Sequence, residues 1–171
     1  MLLPGDIICV KGTSLISKLI KRATKSEYSH CAIVISTEPC QIVEIDYKYH
    51  LKINAIHYTY YDVFRCENIS NTQLDTIKNY LMSSLGAQYD FLQLFTQWLN
   101  ILVKAFPIVN SPIRFLCSEV IDRAYQKAGR DLAPEAVEGN VTPADLSRSK
   151  LLFKVKEVAV KPYDKYFYPK L

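Results

Sequence analysis

The sequence predicts an α+β domain, because strand-like segments fill its first half and helix-like segments dominate its second half. Up to residue 66 the apolar residues come in short runs rich in β-branched residues and Tyr, bounded by turn-forming residues. From residue 70 onward many of them recur at helical spacing. The length of 171 residues suits one domain, which we expect to span residues 1–171.

The first predicted strand, Ile7 to Val10, follows the turn Pro4-Gly5-Asp6. The strongest strand candidates, His30 to Ile35 and Gln41 to Ile45, are expected to form a hairpin through a turn that contains Pro39. Further extended segments are expected at 47–49, 57–61, 63–66 and 151–160. These segments supply the sheet of the expected domain.

A short amphipathic helix is expected between the first two strands, capped by Thr13 or Ser14. Its apolar residues at helical spacing are Leu15, Ile16, Leu19 and Ile20, with cationic residues on the outside. Later helices are expected from Ser70 to Gly86 and from 117 to 128, with Gly129 as the cap. The helices would pack against the sheet.

The segment from Tyr89 to Phe106 is mostly apolar and overlaps a helical insert expected at about 91–113. Polar residues interrupt it, among them Gln93, Gln97, Asn100 and Lys104. A membrane-spanning helix needs about 20 largely uninterrupted apolar residues. We therefore interpret the segment as an amphipathic helix rather than a transmembrane one.

Charge and cysteine content restrict the classes of function. The net charge of +4 and one small basic cluster predict a solvated helix face rather than a nucleic-acid footprint; the cluster contains Lys11, Lys18, Lys21, Arg22 and Lys25. Five cysteines, an odd number without metal-binding spacing, indicate reduced thiols. The N-terminus has neither the charged nor the long apolar region of a signal peptide. We expect a cytoplasmic protein.

Cys117 is the strongest candidate for a catalytic residue. It lies where an extended apolar segment turns into a predicted helix. Unpaired backbone N–H groups and the helix dipole at such a position stabilise a thiolate, which is the nucleophilic form of cysteine. Cysteines in apolar stretches are more often inert core residues, so the position alone does not decide whether Cys117 is catalytic.

A reactive thiol needs a base and a group that orients the base. His30 starts a predicted strand, and Glu44 lies on the strand expected to pair with it. Candidate oxyanion or substrate-binding groups are the hydroxyls of Tyr28 and Tyr89, together with Ser118 next to the nucleophile and the N–H of Cys117 itself. A lone histidine on a strand is more often a structural residue than a base, so a structural role for His30 stays open.

The order of several short motifs resembles the circularly permuted NlpC-type, YiiX-like branch of papain-fold cysteine hydrolases. The matching segments are Leu3-Pro4-Gly5-Asp6-Ile7-Ile8, Tyr28 to Val34, Val43-Glu44, Gly86 to Phe91, Cys117-Ser118-Glu119 and Val141 to Leu146. In permuted members the histidine and the third polar residue precede the cysteine, as they do here. The resemblance implies a permuted papain-like fold, with a barrel-like antiparallel sheet packed on helices and the nucleophile at a helix N-terminus.

The resemblance also implies that Cys117 is the nucleophile, His30 the base, Glu44 the orienting residue and Tyr89 a substrate contact. The expected activity is that of a cysteine peptidase or amidase acting on a small peptide, a cell-wall-type peptide or an N-acyl amino acid. No metal or organic cofactor and no nucleic acid are implied.

Two alternatives stay open at this point. One is a lipid-directed thiol acyltransferase or acylhydrolase resembling lecithin retinol acyltransferase, with membrane docking through Phe95 and Trp98 as a less favoured possibility. Against it, that branch tends to carry a second histidine where this chain has Glu44. The other is a binding module on the same fold that does no chemistry.

Overall fold

The computed structural model describes residues 1–45, 50–89, 114–136 and 140–159 of the chain, without the side chains of residues 89, 114 and 115. The predicted helical insert at about 91–113, including Phe95 and Trp98, lies outside the described residues. So do the predicted extended segment at 47–49 and the side chain of Tyr89.

The described residues form eight strands and four helices. The strands are β1 (Ile7–Val10), β2 (His30–Thr37), β3 (Cys40–Glu44), β4 (Lys52–Ala55), β5 (Tyr60–Cys66), β6 (Gln88–Tyr89), β7 (Arg114–Phe115) and β8 (Leu152–Ala159). The helices are α1 (Leu15–Thr24), α2 (Asn71–Ser83), α3 (Cys117–Lys127) and α4 (Pro143–Ser147).

Six strands form one antiparallel sheet in the order β4-β3-β2-β1-β5-β8. The expected pairing of β2 with β3 is confirmed, with Ile33 opposite Val43. The short β6 and β7 form a separate parallel pair. The expectation of an α+β fold with an antiparallel sheet is therefore confirmed.

The helices α2 and α3 cover one face of the sheet, where the larger core lies. Because side chains alternate along a strand, Cys31 and Ile33 of β2 face this core, while Ala32 and Val34 belong to a smaller cluster on the other face. Cys31 is fully buried, as its position next to His30 predicts. This packing presses the N-terminal half of α3 against β2.

The turn Pro4-Gly5-Asp6 fixes α3 against the sheet. Gly5 has a φ of +88°, and its carbonyl oxygen accepts a 2.6 Å hydrogen bond from the hydroxyl of buried Tyr125 on α3. The carboxylate of Asp6 is buried and receives two hydrogen bonds from Arg65, at 2.7 and 2.8 Å. The motif that opens the chain is therefore structural.

Some elements differ from the sequence-based expectation. The segments expected at 57–61 and 63–66 are one strand, β5, which starts at Tyr60. Strands β4, β6 and β7 and helix α4 were not anticipated. Helix α1 forms after the predicted cap Ser14, but it contains no buried residue. Its apolar side chains are thus not part of the core.

Within the ranges that the structure describes, no helix is both long and apolar enough to cross a bilayer.

Candidate active site

Cys117 is the first residue of α3, and its side chain is buried against β2. Leu116 precedes it in an extended conformation and offers no side-chain cap to the helix. The N–H groups of the first turn have no carbonyl partner within the helix, so they are left to stabilise negative charge at its start. The thiol is thus placed as the strand-to-helix pattern predicts.

His30 is the first residue of β2, and its imidazole lies near enough to the thiol of Cys117 for each group to shift the pKa of the other. Its Nε2 lies 3.4 Å from Oε2 of Glu44. Because Nε2 faces the carboxylate, Nδ1 is the ring nitrogen left for the thiol. The structure brings the three residues predicted from the sequence together in one cluster.

Glu44 ends β3 and is 2% exposed, so its charge requires partners. Asn54 Nδ2 donates to Oε1 at 2.5 Å, and the hydroxyl of Tyr58 donates to Oε2. Burial alone would favour the protonated acid, but the hydrogen bonds from His30, Tyr58 and Asn54 outweigh it and lower the pKa of Glu44 from 4.5 to about 2. Glu44 is therefore a carboxylate at neutral pH.

Burial and neighbouring polar groups also have opposite effects on the pKa values of His30 and Cys117. Burial opposes the charged form of His30, but the Cys117 thiolate and the Glu44 carboxylate raise the pKa of His30 from 6.5 to about 10. Burial likewise opposes the thiolate, but charged His30 and the backbone N–H groups of Cys31 and Ser118 lower the pKa of Cys117. The arrangement favours a thiolate–imidazolium pair over the neutral pair.

The other candidate residues take different positions. The hydroxyl of Tyr28 donates to Asp62 Oδ2 at 2.6 Å, and Lys11 and Lys154 contact the same carboxylate. A role for Tyr28 at an oxyanion would require that bond to be exchanged. The hydroxyl of Ser118 donates to the carbonyl oxygen of Val141 at 2.6 Å. The backbone N–H of Ser118, and not its hydroxyl, stabilises the Cys117 thiolate.

Asn54 and Tyr58 are the parts of the site that sequence reasoning missed. Asn54 lies on β4, whose register places it opposite Ile42. Tyr58 follows β4, and its ring centroid lies 5.7 Å from that of His30. The sequence signal for β4 is the alternation of Lys52 and Asn54 with Ile53, which is too short to identify a strand or its partner.

An open cleft of about 360 Å³ lies beside His30. It is lined by the end of β1, the start of α1 and the loop before β5; the lining residues include Lys11, Ser14, Ser17, His57, Tyr58 and Tyr60. The cleft gives a small molecule or a chain end room to approach the imidazole.

No protein-family model matches the sequence, and no curated protein matches it. Its fold does match a solved structure, the crystal structure of metalloprotein yiiX from Escherichia coli O157:H7, a DUF1105 protein. The chain has a YiiX-like fold. The TM-score is 0.71, and the match covers 91% of this chain and 97% of the YiiX chain at 22% sequence identity. At this identity the match concerns the fold.

Proposed function

We propose that the chain is a thiol hydrolase that cleaves an amide bond through Cys117, His30 and Glu44. The observation that carries the proposal is the grouping of a thiol at the start of α3 with the His30 imidazole and the buried carboxylate of Glu44, whose Oε2 lies 3.4 Å from Nε2 of His30. This is the order of groups that nucleophilic acyl transfer by a cysteine requires. With His30 and Glu44 preceding Cys117, the proposal includes a circularly permuted papain-like fold of the NlpC type.

In the proposed reaction the Cys117 thiolate attacks the amide carbonyl carbon, and the oxygen takes up the negative charge. The backbone N–H groups at the start of α3 are the donors available to that oxyanion. Imidazolium His30 gives its proton to the leaving nitrogen as the carbon–nitrogen bond breaks, which leaves a thioester and a neutral imidazole. His30 then takes a proton from water, the hydroxide attacks the thioester, and the acid, the thiolate and the imidazolium are restored.

Glu44 acts on His30 rather than on the substrate. Its carboxylate holds Nε2 and stabilises the imidazolium, and Asn54 and Tyr58 hold the carboxylate in turn. Because the Glu44 carboxylate is already held by three side chains, little further orientational freedom is lost when the substrate reacts. The proposed substrates are small peptides, cell-wall-type peptides and N-acyl amino acids.

YiiX is called a metalloprotein. Within 1–45, 50–89, 114–136 and 140–159 of this chain, no three His, Cys, Asp or Glu side chains are placed to share a metal ion. The donor set of the described residues does not fit a metal site, and the proposed reaction contains no step through a metal.

The test is a panel of short peptides and N-acyl amino acids incubated with wild type, Cys117→Ala and Cys40→Ala. Cys40 is a partly exposed cysteine on β3, and its replacement serves as the matched control. We expect release of free amine by wild type and by Cys40→Ala, with an acyl adduct on the Cys117 peptide by mass spectrometry. Activity that survives Cys117→Ala contradicts the proposal, and binding without turnover by wild type supports a binding module.

A further inference from the structure

Helix α1 exposes the apolar side chains that an amphipathic helix normally buries. Leu15 is 79% exposed, Leu19 52% and Ile16 45%. The helix has no buried residue at all. Instead the half-buried side of α1 is formed by residues such as Ser17, Ile20 and Thr24. The apolar side chains are thus turned to solvent although the helix is well capped by Ser14.

The charge on this helix has one sign. From Thr13 to Lys25 the sequence contains four cationic residues and no Asp or Glu. Lys18 and Arg22 are exposed and one turn apart, and at 100° per residue they fall beside Leu15 and Leu19 on the solvent side. Exposed leucines flanked by cations are the pattern of helices that lie in the interface of an anionic membrane.

Other occupants fit this face less well. A second copy of the chain would bring the same cations against one another. A nucleic acid would pair with the cations but leave the leucines without an apolar partner. A bilayer with anionic headgroups accepts both kinds of side chain, since the leucines enter the acyl boundary while the cations stay among the phosphates.

The position of the helix links this face to the candidate active site. The cap Ser14 and Ser17 of α1 line the same cleft as His30 and Tyr58. Because Ser17 lies on the side of α1 opposite Leu15 and Leu19, a membrane that contacts the leucines would lie about one helix diameter, about 10 Å, from the cleft.

We propose that α1 docks the protein on anionic membrane surfaces through Leu15, Ile16 and Leu19, with Lys18 and Arg22 contacting the headgroups. Docking holds the cleft beside His30 about one helix diameter from the lipid surface. The docking needs no chemistry at Cys117, and its test is independent of the proposed hydrolase activity.

The experiment is co-sedimentation of the full chain carrying Cys117→Ala with vesicles of phosphatidylcholine, alone or mixed with phosphatidylserine. We expect binding to the mixed vesicles, and a loss of about tenfold or more in the partition coefficient for Leu15→Gln/Leu19→Gln. Lys18→Gln/Arg22→Gln should lose a similar amount on mixed vesicles. The matched control is Met82→Gln, which removes an apolar side chain that is 40% exposed on α2.

Three results would overturn the proposal. The first is equal binding by wild type and Leu15→Gln/Leu19→Gln, and the second is equal binding of wild type to vesicles with and without phosphatidylserine. The third is a dimer in light scattering that Leu15→Gln/Leu19→Gln converts to monomer, which would make the face an interface between copies. Circular dichroism checks that the leucine variant is folded, and Lys18→Gln/Arg22→Gln tests the proposal by itself if it is not.

Discussion

Replacing Glu44 by Gln tests the buried charge on which the site depends. Glu44 is 2% exposed, and its hydrogen bonds hold its pKa at about 2 instead of 4.5. A carboxylate whose pKa is lowered by folding contributes stability that is fully present above the unfolded pKa and lost as the pH falls through the folded one. The difference between about 2 and 4.5 corresponds to about 3 kcal/mol in the free energy of unfolding.

The assay is urea unfolding of wild type and Glu44→Gln at intervals between pH 6 and pH 2. Other carboxylates titrate in both proteins, so they cancel in the difference between the two. We expect the stability of wild type relative to Glu44→Gln to fall by about 3 kcal/mol as the pH falls from about 5 to about 2. Glu135→Gln, which removes an exposed carboxylate, is the control. A difference between wild type and Glu44→Gln that stays constant with pH would refute the reasoning.

Two further predictions concern the groups around the site and the turn that holds α3. Tyr58→Phe removes a donor to Glu44, so the midpoint of acid unfolding should move to higher pH. The shift should vanish in a Glu44→Gln background. A shift that persists in that background would show another cause. Gly5→Ala and Gly86→Ala both force Ala to a positive φ, at about 1–2 kcal/mol each. A Cβ at Gly5 would also lie 2.6 Å from Leu74 Cδ2, whereas Gly86 is open. Because the Leu74 side chain must move, Gly5→Ala should lose more stability than Gly86→Ala in urea unfolding. Equal losses would contradict that packing.

The sequence contains a local signal for each of the three proposed site residues. The start of a helix after an extended segment marks Cys117, and the apolar alternation of a strand marks His30 and Glu44. The hairpin expected from these strands brings His30 and Glu44 close together, and the structure confirms the pairing of β2 with β3. The approach of Cys117 to His30 depends on how α3 packs on β2, which no local pattern contains.

The partners of Glu44 could not be predicted in the same way. Strand β4 is four residues long, and the sequence Lys-Ile-Asn-Ala contains one β-branched residue. The contacts of Asn54 and Tyr58 with Glu44 depend on the register between β3 and β4. Likewise the partner of Tyr28 is Asp62, which lies 34 positions away on β5. Such pairings are set by the assembled sheet.

Helix α1 shows a different limit. The helical spacing of its apolar residues predicts a helix with an apolar face, but that spacing does not determine which side of the helix contacts the sheet. In the structure the half-buried side is centred near Ser17 and Thr24, and the leucines face solvent. Arg148 also donates to the carbonyl oxygens of Thr24 and Lys25 at the end of the helix, and these contacts join residues 124 and 123 positions apart.

The central claim is that Cys117 and His30 form a thiolate–imidazolium pair. The most direct test is the rate of Cys117 alkylation by iodoacetamide against pH, in wild type and His30→Ala, with the modified peptide identified by mass spectrometry. Because His30 lowers the pKa of Cys117, wild type should react at Cys117 well below the pH at which ordinary thiols ionise, and faster than at partly exposed Cys40. In His30→Ala the reaction should move to higher pH. If Cys117 reacts no faster than Cys40, and with the same pH dependence in both proteins, the account is contradicted.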